Sequence, residues 1–229
     1  MARTFVLGDI HGAYRALRQC FERSGFDSKQ DHLIFLGDVS DGWPETRLCV
    51  DELLKVTHLT PLLGNHDQWT LQWMKSGIGE DIWLMQGGKA TVKSYADGIP
   101  QQHQQFLESC LPYYILENKL FVHAGIDPKV PIENQTIEIF LWDRTLARTA
   151  LYFHERGIET RLTTYDEVYV GHTPIAQLKP LKACEVWLMD TGAGWSGVLS
   201  MLNLESKEIF SSDEVPTLYP GIEGRQRLR

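Results

Sequence analysis

The chain has 229 residues, 43% of them hydrophobic, with 22 basic against 30 acidic side chains and a net charge of −8. That length suits a single domain with a sizeable core and an inserted cap. The acidic balance argues against stable nucleic-acid binding, which rewards clustered Lys and Arg, and no run approaches the ~20 apolar residues of a membrane span.

The first third alternates strand and helix. Strands are expected near Thr4–Leu7, His32–Leu36 and Leu59–Leu63, each short and apolar, as in a parallel sheet covered on both faces. Helices are expected near Ala13–Ser24, near Glu45–Val56 with Pro44 placed to start it, and from about Asp67 to Lys75. Residues 77–110, broken by five glycines and ending in the polar helix Gln101–Cys110, read as an insertion capping one side of a rim. Tyr113–Glu117 and Lys119–Val122 read as strands joined at Asn118. Thr136–Gly157 reads as helical in part, with Leu141, Trp142 and Leu146 facing inward. Glu167–Val170, Glu185–Met189, Val198–Leu204 and Glu208–Phe210 read as strands, and residues 212–229 as a flexible tail whose basic end, Arg225-Gln226-Arg227-Leu228-Arg229, is frayed and solvated. This layout suggests two mixed sheets packed face to face with helices outside.

Cys20, Cys49, Cys110 and Cys184 form no C-x-x-C pair and read as small apolar core residues of a reducing compartment. The first residues lack the charged start, apolar stretch and cleavage site of a signal peptide. A cytoplasmic protein is the resulting expectation.

Five apolar runs end at once in a polar ligand: Gly8-Asp9-Ile10-His11-Gly12, Gly37-Asp38, Gly64-Asn65-His66-Asp67, His123-Ala124-Gly125 and Gly171-His172-Thr173-Pro174. A strand followed by glycine and a ligand is how an α/β sheet places chemistry outside its carboxyl edge. Taken singly, each reads as a turn residue or helix cap. Taken together, they assemble the donors for a pair of divalent cations: carboxylate oxygen suits a hard cation, imidazole suits manganese, iron or zinc, and ions about 3.5–4 Å apart need a bridging ligand. Asp38 is the candidate bridge. Asp9 and His11 complete one site; Asn65, His123 and His172 complete the other.

In order and spacing, the five motifs, with Gly37-Asp38-x-x-Asp41 in place of the second, resemble the signature of the calcineurin-like metallophosphoesterases. The chain looks most similar to the bacterial and phage branch of the serine/threonine phosphoprotein phosphatases, which also includes the symmetrical dinucleoside tetraphosphatases. The resemblance implies a four-layer α/β/β/α sandwich and a two-metal site whose bridging hydroxide attacks phosphorus in line. It implies that His66 protonates the leaving oxygen and that Asp41 orients His66; the lesser alternative for Asp41 is a turn residue before Gly42. Manganese is the expected metal, with iron, zinc, nickel or cobalt as alternatives. The implied substrates are a phosphorylated protein, a nucleotide or a small phosphoester.

The family pattern continues with an arginine after the second aspartate, where this chain has Asp41-Gly42-Trp43-Pro44. Losing that planar fork is expected to weaken grip on a phosphate terminus and to relax specificity toward diesters. Arg144 resembles the family's other phosphate-binding arginine, or else makes a helix-surface ion pair. Asn65 lies beside the substrate in the same pattern. Trp43 and Trp195 are candidates to stack on a base or an aromatic leaving group, or else lid tryptophans; Trp69, Trp73 and Trp187 read as core or lid. The leading expectation is a broad-specificity protein phosphatase. A dinucleoside polyphosphate hydrolase or phosphodiesterase is the alternative, followed by a metal-bound scaffold without catalysis.

Overall fold

The computed structural model describes residues 2–222 and 224–225. Two five-stranded sheets form its centre. The first runs β10-β9-β1-β2-β3, from Ile209–Ser211, Ser200–Asn203, Thr4–Leu7, His32–Phe35 and His58–Pro61. The second runs β4-β5-β6-β8-β7, from Tyr113–Leu116, Lys119–Val122, Glu167–Val170, Val186–Leu188 and Leu181–Ala183. Each sheet holds a parallel trio, β1-β2-β3 and β5-β6-β8, with antiparallel partners outside it.

Alternation along the strands divides the core into three layers. Val6, Ile34, Leu36, Phe121, Tyr169, Trp187 and Leu202 point between the sheets. Phe5, Leu7, Leu33 and Phe35 point the other way, onto α1 (Tyr14–Ser24) and α2 (Thr46–Leu53). Leu120, Val122, Val168, Val170, Val186 and Leu188 face α7 (Ile137–Trp142) and α8 (Thr145–Glu155). The result is the expected α/β/β/α sandwich. Between the sheets, Phe121 stacks on Tyr169 at 4.9 Å and Tyr169 lies parallel to Trp187 at 6.1 Å.

One edge of this middle layer is polar. Glu167 accepts hydrogen bonds from Tyr169 Oη at 2.7 Å, Trp187 Nε1 at 3.1 Å and Lys207 Nζ. Burial raises its pKa, but these donors outweigh burial and hold the carboxyl at about 2. A depressed carboxyl stabilises the fold above its unfolded pKa of roughly 4.3, and that stability is lost as pH falls through the folded value. Glu167→Gln should therefore flatten the thermal-stability profile between about pH 4.3 and 2, by roughly 1–2 kcal/mol after allowance for screening. An unchanged acid limb in a calorimetric pH series would contradict this.

Several elements differ from the sequence reading. Helix α3 spans Asn65–Ser76, two residues earlier than expected, because Asp67 at its third position reaches back to the Gly64 N–H and satisfies the helix start. The hairpin β4–β5 turns through Glu117 and Asn118, both with positive φ, as a two-residue hairpin favours. Strand β7, with the sequence Leu-Lys-Ala, is too short to have been expected. The region 77–110 folds as short helices (α4, Asp81–Trp83; α5, Lys89–Ser94; α6, Gln101–Glu108), and α5 and α6 pack on α2 and α3. Trp142, expected inward, is 40% exposed.

The expectation of a flexible tail from 212 is corrected by α9 (Val215–Leu218) and by Tyr219 beyond it. Val215 and Tyr219 are fully buried against the outer core of the first sheet. The expected frayed end at 226–229 lies outside the described residues. No helix among the described residues is long and apolar enough to cross a membrane. Cys20 and Cys49 are buried and Cys110 and Cys184 half-buried, all as free thiols.

Candidate active site

The parallel strands deliver the residues at their carboxyl ends to one rim. Asp9 and His11 follow β1, Asp38 and Asp41 follow β2, and Asn65 and His66 open α3 after β3. His123 follows β5 and His172 follows β6. All eight are buried. His11, Asp38, Asp41 and His172 have φ of 51°, 62°, 71° and 59°, a left-handed conformation costing about 1 kcal/mol or more apiece. Such strain persists where the surrounding structure overrides it. The neighbouring glycines are required by close approach: a Cβ on Gly171 would stand 2.1 Å from Asp9 Oδ1, and one on Gly64 2.1 Å from Asp38 Oδ1.

Two ligand groups share Asp38. Donor atoms of Asp9, His11 and Asp38 lie within 4.8 Å of one another, as do those of Asp38, His123 and His172. Asp38 Oδ2 stands 3.6 Å from His11 Nε2 and 3.4 Å from His123 Nε2, as a bridge would. Asn65 Oδ1 lies 3.1 Å from His123 Nε2.

Hydrogen bonds behind the ligands fix their tautomers. His11 Nδ1–H donates to the Ser40 carbonyl at 2.9 Å and His123 Nδ1–H to the Leu36 carbonyl at 2.8 Å. Each leaves Nε2 turned to the rim, the arrangement typical of metal-bound histidine. Asp9 Oδ1 and His172 Nε2 are buried with no hydrogen-bond partner among the described residues. Orphaned buried donors and acceptors are costly, and divalent cations, one at the Asp9, His11 and Asp38 group and one at the Asp38, His123 and His172 group, would remove the cost. The donor set therefore fits divalent cations.

The local charge follows from burial at close quarters. Burial and the neighbouring Asp190 push Asp9 well up, whereas His123, His66 and His11 hold Asp38 well below the usual carboxylate range against burial. Burial lowers His123, but Asp38 raises it to about 9. Burial holds His11 and His172 low and neutral, as ligands must be.

The His66–Asp41 pair is close: Nδ1 to Oδ2 is 2.7 Å. Asp41 also accepts from Trp83 Nε1 at 2.6 Å and Thr91 Oγ1 at 2.7 Å. Burial pushes Asp41 up to about 8 against those two donors, and pushes His66 down to about 3 against the pull of Asp38. Both shifts favour a dyad without net charge. In that form one proton lies on the Nδ1–Oδ2 contact and the other on Nε2, at the opposite edge of the ring. Asp41 is thus a partner of His66 rather than a turn residue alone.

Arg144 donates from Nη1 to the His172 carbonyl at 2.7 Å and to Thr173 Oγ1 at 3.3 Å. It reaches the rim half-buried, held by these acceptors rather than by a helix-surface ion pair. Trp43 requires a correction. It is 1% exposed, stacks on Tyr219 at 5.0 Å and donates to the Ala193 carbonyl at 2.7 Å. Its ring is committed to packing, so it offers no face to a substrate. The exposed aromatic at the mouth is Trp142, edge-on to Trp69 at 5.0 Å and 6.1 Å from His172, with Trp69 in turn 5.2 Å from His66.

Other site residues escaped the sequence reading. Asp67 accepts from the Asp38 N–H at 2.7 Å and the Val39 N–H at 2.9 Å, clamping the loop that carries the bridge. Asp190 is at a sixth strand end, after β8; it is buried and accepts from the Gly192 N–H at 2.9 Å. An apolar strand precedes it, but Met189-Asp190 has neither the preceding glycine of four of those strand ends nor the histidine of the fifth. Trp83 and Thr91 come from the 77–110 region, where nothing in the sequence ties them to Asp41.

Residues 2–194 match the family model of calcineurin-like phosphoesterases. A protein of Salmonella typhimurium named serine/threonine-protein phosphatase 1 is 27% identical over 204 residues, covering 88% of this chain and 91% of its own length. A symmetrical bis(5'-nucleosyl)-tetraphosphatase of Coxiella burnetii is 35% identical over 136 residues, covering 58% of this chain and 45% of its own. A serine/threonine phosphatase structure from Saccharomyces cerevisiae superposes with a TM-score of 0.62 at 14% identity, over 97% of this chain and 82% of that one, which shows the shared fold. The chain belongs to the calcineurin-like phosphoesterase family and is a metallophosphoesterase, a hydrolase of phosphate esters.

Proposed function

We propose that this protein is a broad-specificity serine/threonine protein phosphatase acting on phosphomonoesters with two divalent cations, manganese foremost. The observation that carries the reading is the His66–Asp41 contact of 2.7 Å beside two ligand groups that share Asp38. Asp9, His11 and Asp38 would hold one cation, and Asp38, Asn65, His123 and His172 the other. When bound, such a pair lowers the pKa of a water and neutralises charge on phosphoryl oxygens.

The chain's own residues supply the rest. His66 offers its Nε2 proton to the departing oxygen, while Asp41 keeps the ring aimed and replenishes its charge. Arg144 orients a phosphoryl oxygen from the side of His172, and Asn65 adds its amide. Asp67 holds the Asp38 loop rigid, so that the bridge does not reorganise during the reaction.

One observation favours a second reading, dinucleoside polyphosphate or aryl ester hydrolysis. The Trp69–Trp142 pair gives the mouth an aromatic face, and stacking is worth about 1–3 kcal/mol per base. Rates of the manganese-loaded protein on a phosphoserine peptide, 4-nitrophenyl phosphate, its bis-ester and diadenosine tetraphosphate decide between them. Peptide and monoester are expected to dominate, with Trp142→Ala altering them less than about threefold. Dominance of the tetraphosphate, with a tenfold or larger loss in Trp142→Ala, would replace the first reading by the second.

A further inference from the structure

Arg225 enters the site from the far end of the sequence, and nothing in the assigned chemistry uses it. Its N–H donates to the Gly194 carbonyl at 2.9 Å, which anchors the segment beyond α9 to the turn after β8. Its stem then runs through a sleeve of glycines. A Cβ on Gly42 would lie 3.0 Å from Arg225 Cγ, one on Gly87 3.2 Å from Cγ, and one on Gly194 3.2 Å from Cδ. The guanidinium lies over the Trp195 ring at 4.6 Å.

The head of this side chain is under-used. Nη1 makes a 3.2 Å contact with His11 Nε2 and Nη2 a 3.4 Å contact with Gln86 Oε1. Nε is buried with no partner among the described residues. Among them no carboxylate lies within ion-pair distance of it, although burial and the charges of Asp38, Asp41, Asp190 and Asp9 all bear on it. A guanidinium offers five donors in a planar fork suited to two oxygens of a phosphate. Holding one buried on two long contacts, one of them to a nitrogen wanted by a metal, leaves it short of an acceptor.

We propose that Arg225 is the phosphate-binding arginine of this site, supplied by the C-terminal segment in place of a side chain after Asp41. Position 42 cannot carry that group: its φ is 125°, and the space a side chain would enter holds the stem of Arg225. His11 Nε2, if engaged by a cation, would release Nη1, and the freed fork would be available to phosphoryl oxygens. Trp195 supports the plane, and the glycine sleeve fixes its approach. The inference rests on the phosphatase reading above.

The test uses the 229-residue chain loaded with manganese. Inorganic phosphate binding, measured by calorimetry, is expected to weaken about 10- to 100-fold in Arg225→Ala and less in Arg225→Lys, which keeps the charge without the fork. KM for 4-nitrophenyl phosphate should rise in parallel while kcat stays within about tenfold. Manganese affinity should be unchanged or tighter, because a competitor for His11 is gone. Phosphate affinity within twofold of the parent overturns the proposal and leaves Arg225 as a stand-in for the metal. Weaker manganese binding together with a lowered melting temperature in both variants also overturns it, as a structural role. Absence of turnover in the parent would count against the phosphatase reading alone, since phosphate binding still reports on Arg225.

Discussion

Asp38→Asn is expected to lower turnover about 1,000-fold or more, roughly 4 kcal/mol of barrier, while leaving the protein folded. Asp38 is common to both ligand groups, so its loss weakens both cation sites at once. Asparagine keeps its shape and the acceptor for the His66 N–H at 3.0 Å, so the loop geometry survives. The missing negative charge is what a divalent pair cannot spare. The same substitution should shrink the stabilisation that manganese confers on melting, because that gain scales with the logarithm of cation concentration over its dissociation constant. Melting curves with chelator and with manganese measure this. Turnover within tenfold of the parent, or an undiminished manganese shift, would remove Asp38 from the centre.

His66→Asn is expected to act through the leaving group. Asparagine can still donate to Asp41 but cannot give up a proton, and general acid catalysis contributes about 10²- to 10⁴-fold. The loss should approach the upper end for a phosphoserine peptide, whose alkoxide needs a proton. It should fall near the lower end for 4-nitrophenyl phosphate, whose phenolate leaves without one. Manganese affinity should stay put, because His66 Nδ1 is engaged with Asp41 rather than with the cation sites. Equal losses on the two substrates would mean that His66 only positions the site.

Much of this architecture was legible because strand ends announce themselves. Gly-Asp, Gly-Asn-His-Asp and Gly-His after apolar runs mark residues that must turn sharply and face one rim, and the fold brings all of them there. What lay hidden depends on contacts between distant segments. Trp83 and Thr91 sit 42 and 50 residues from Asp41, and no local pattern predicts those bonds. Trp43 lies two residues beyond the second aspartate and so reads as a rim residue, yet its indole stacks on Tyr219 and donates to the Ala193 carbonyl, partners about 150 residues or more away. The basic end of the chain looked like a solvated tail by composition, because burial of Tyr219 and the anchor of Arg225 on Gly194 involve partners about 200 and 31 residues away. Asp190 was missed for a simpler reason: its strand end has neither the preceding glycine of four of the others nor the histidine of the fifth.

The central claim, that Asp38 bridges two cations, is tested most directly by counting them. Metal-stripped protein titrated calorimetrically with manganese should bind two ions per chain, and turnover should return with them. Binding of a single ion, or full turnover in the stripped protein, would contradict the account.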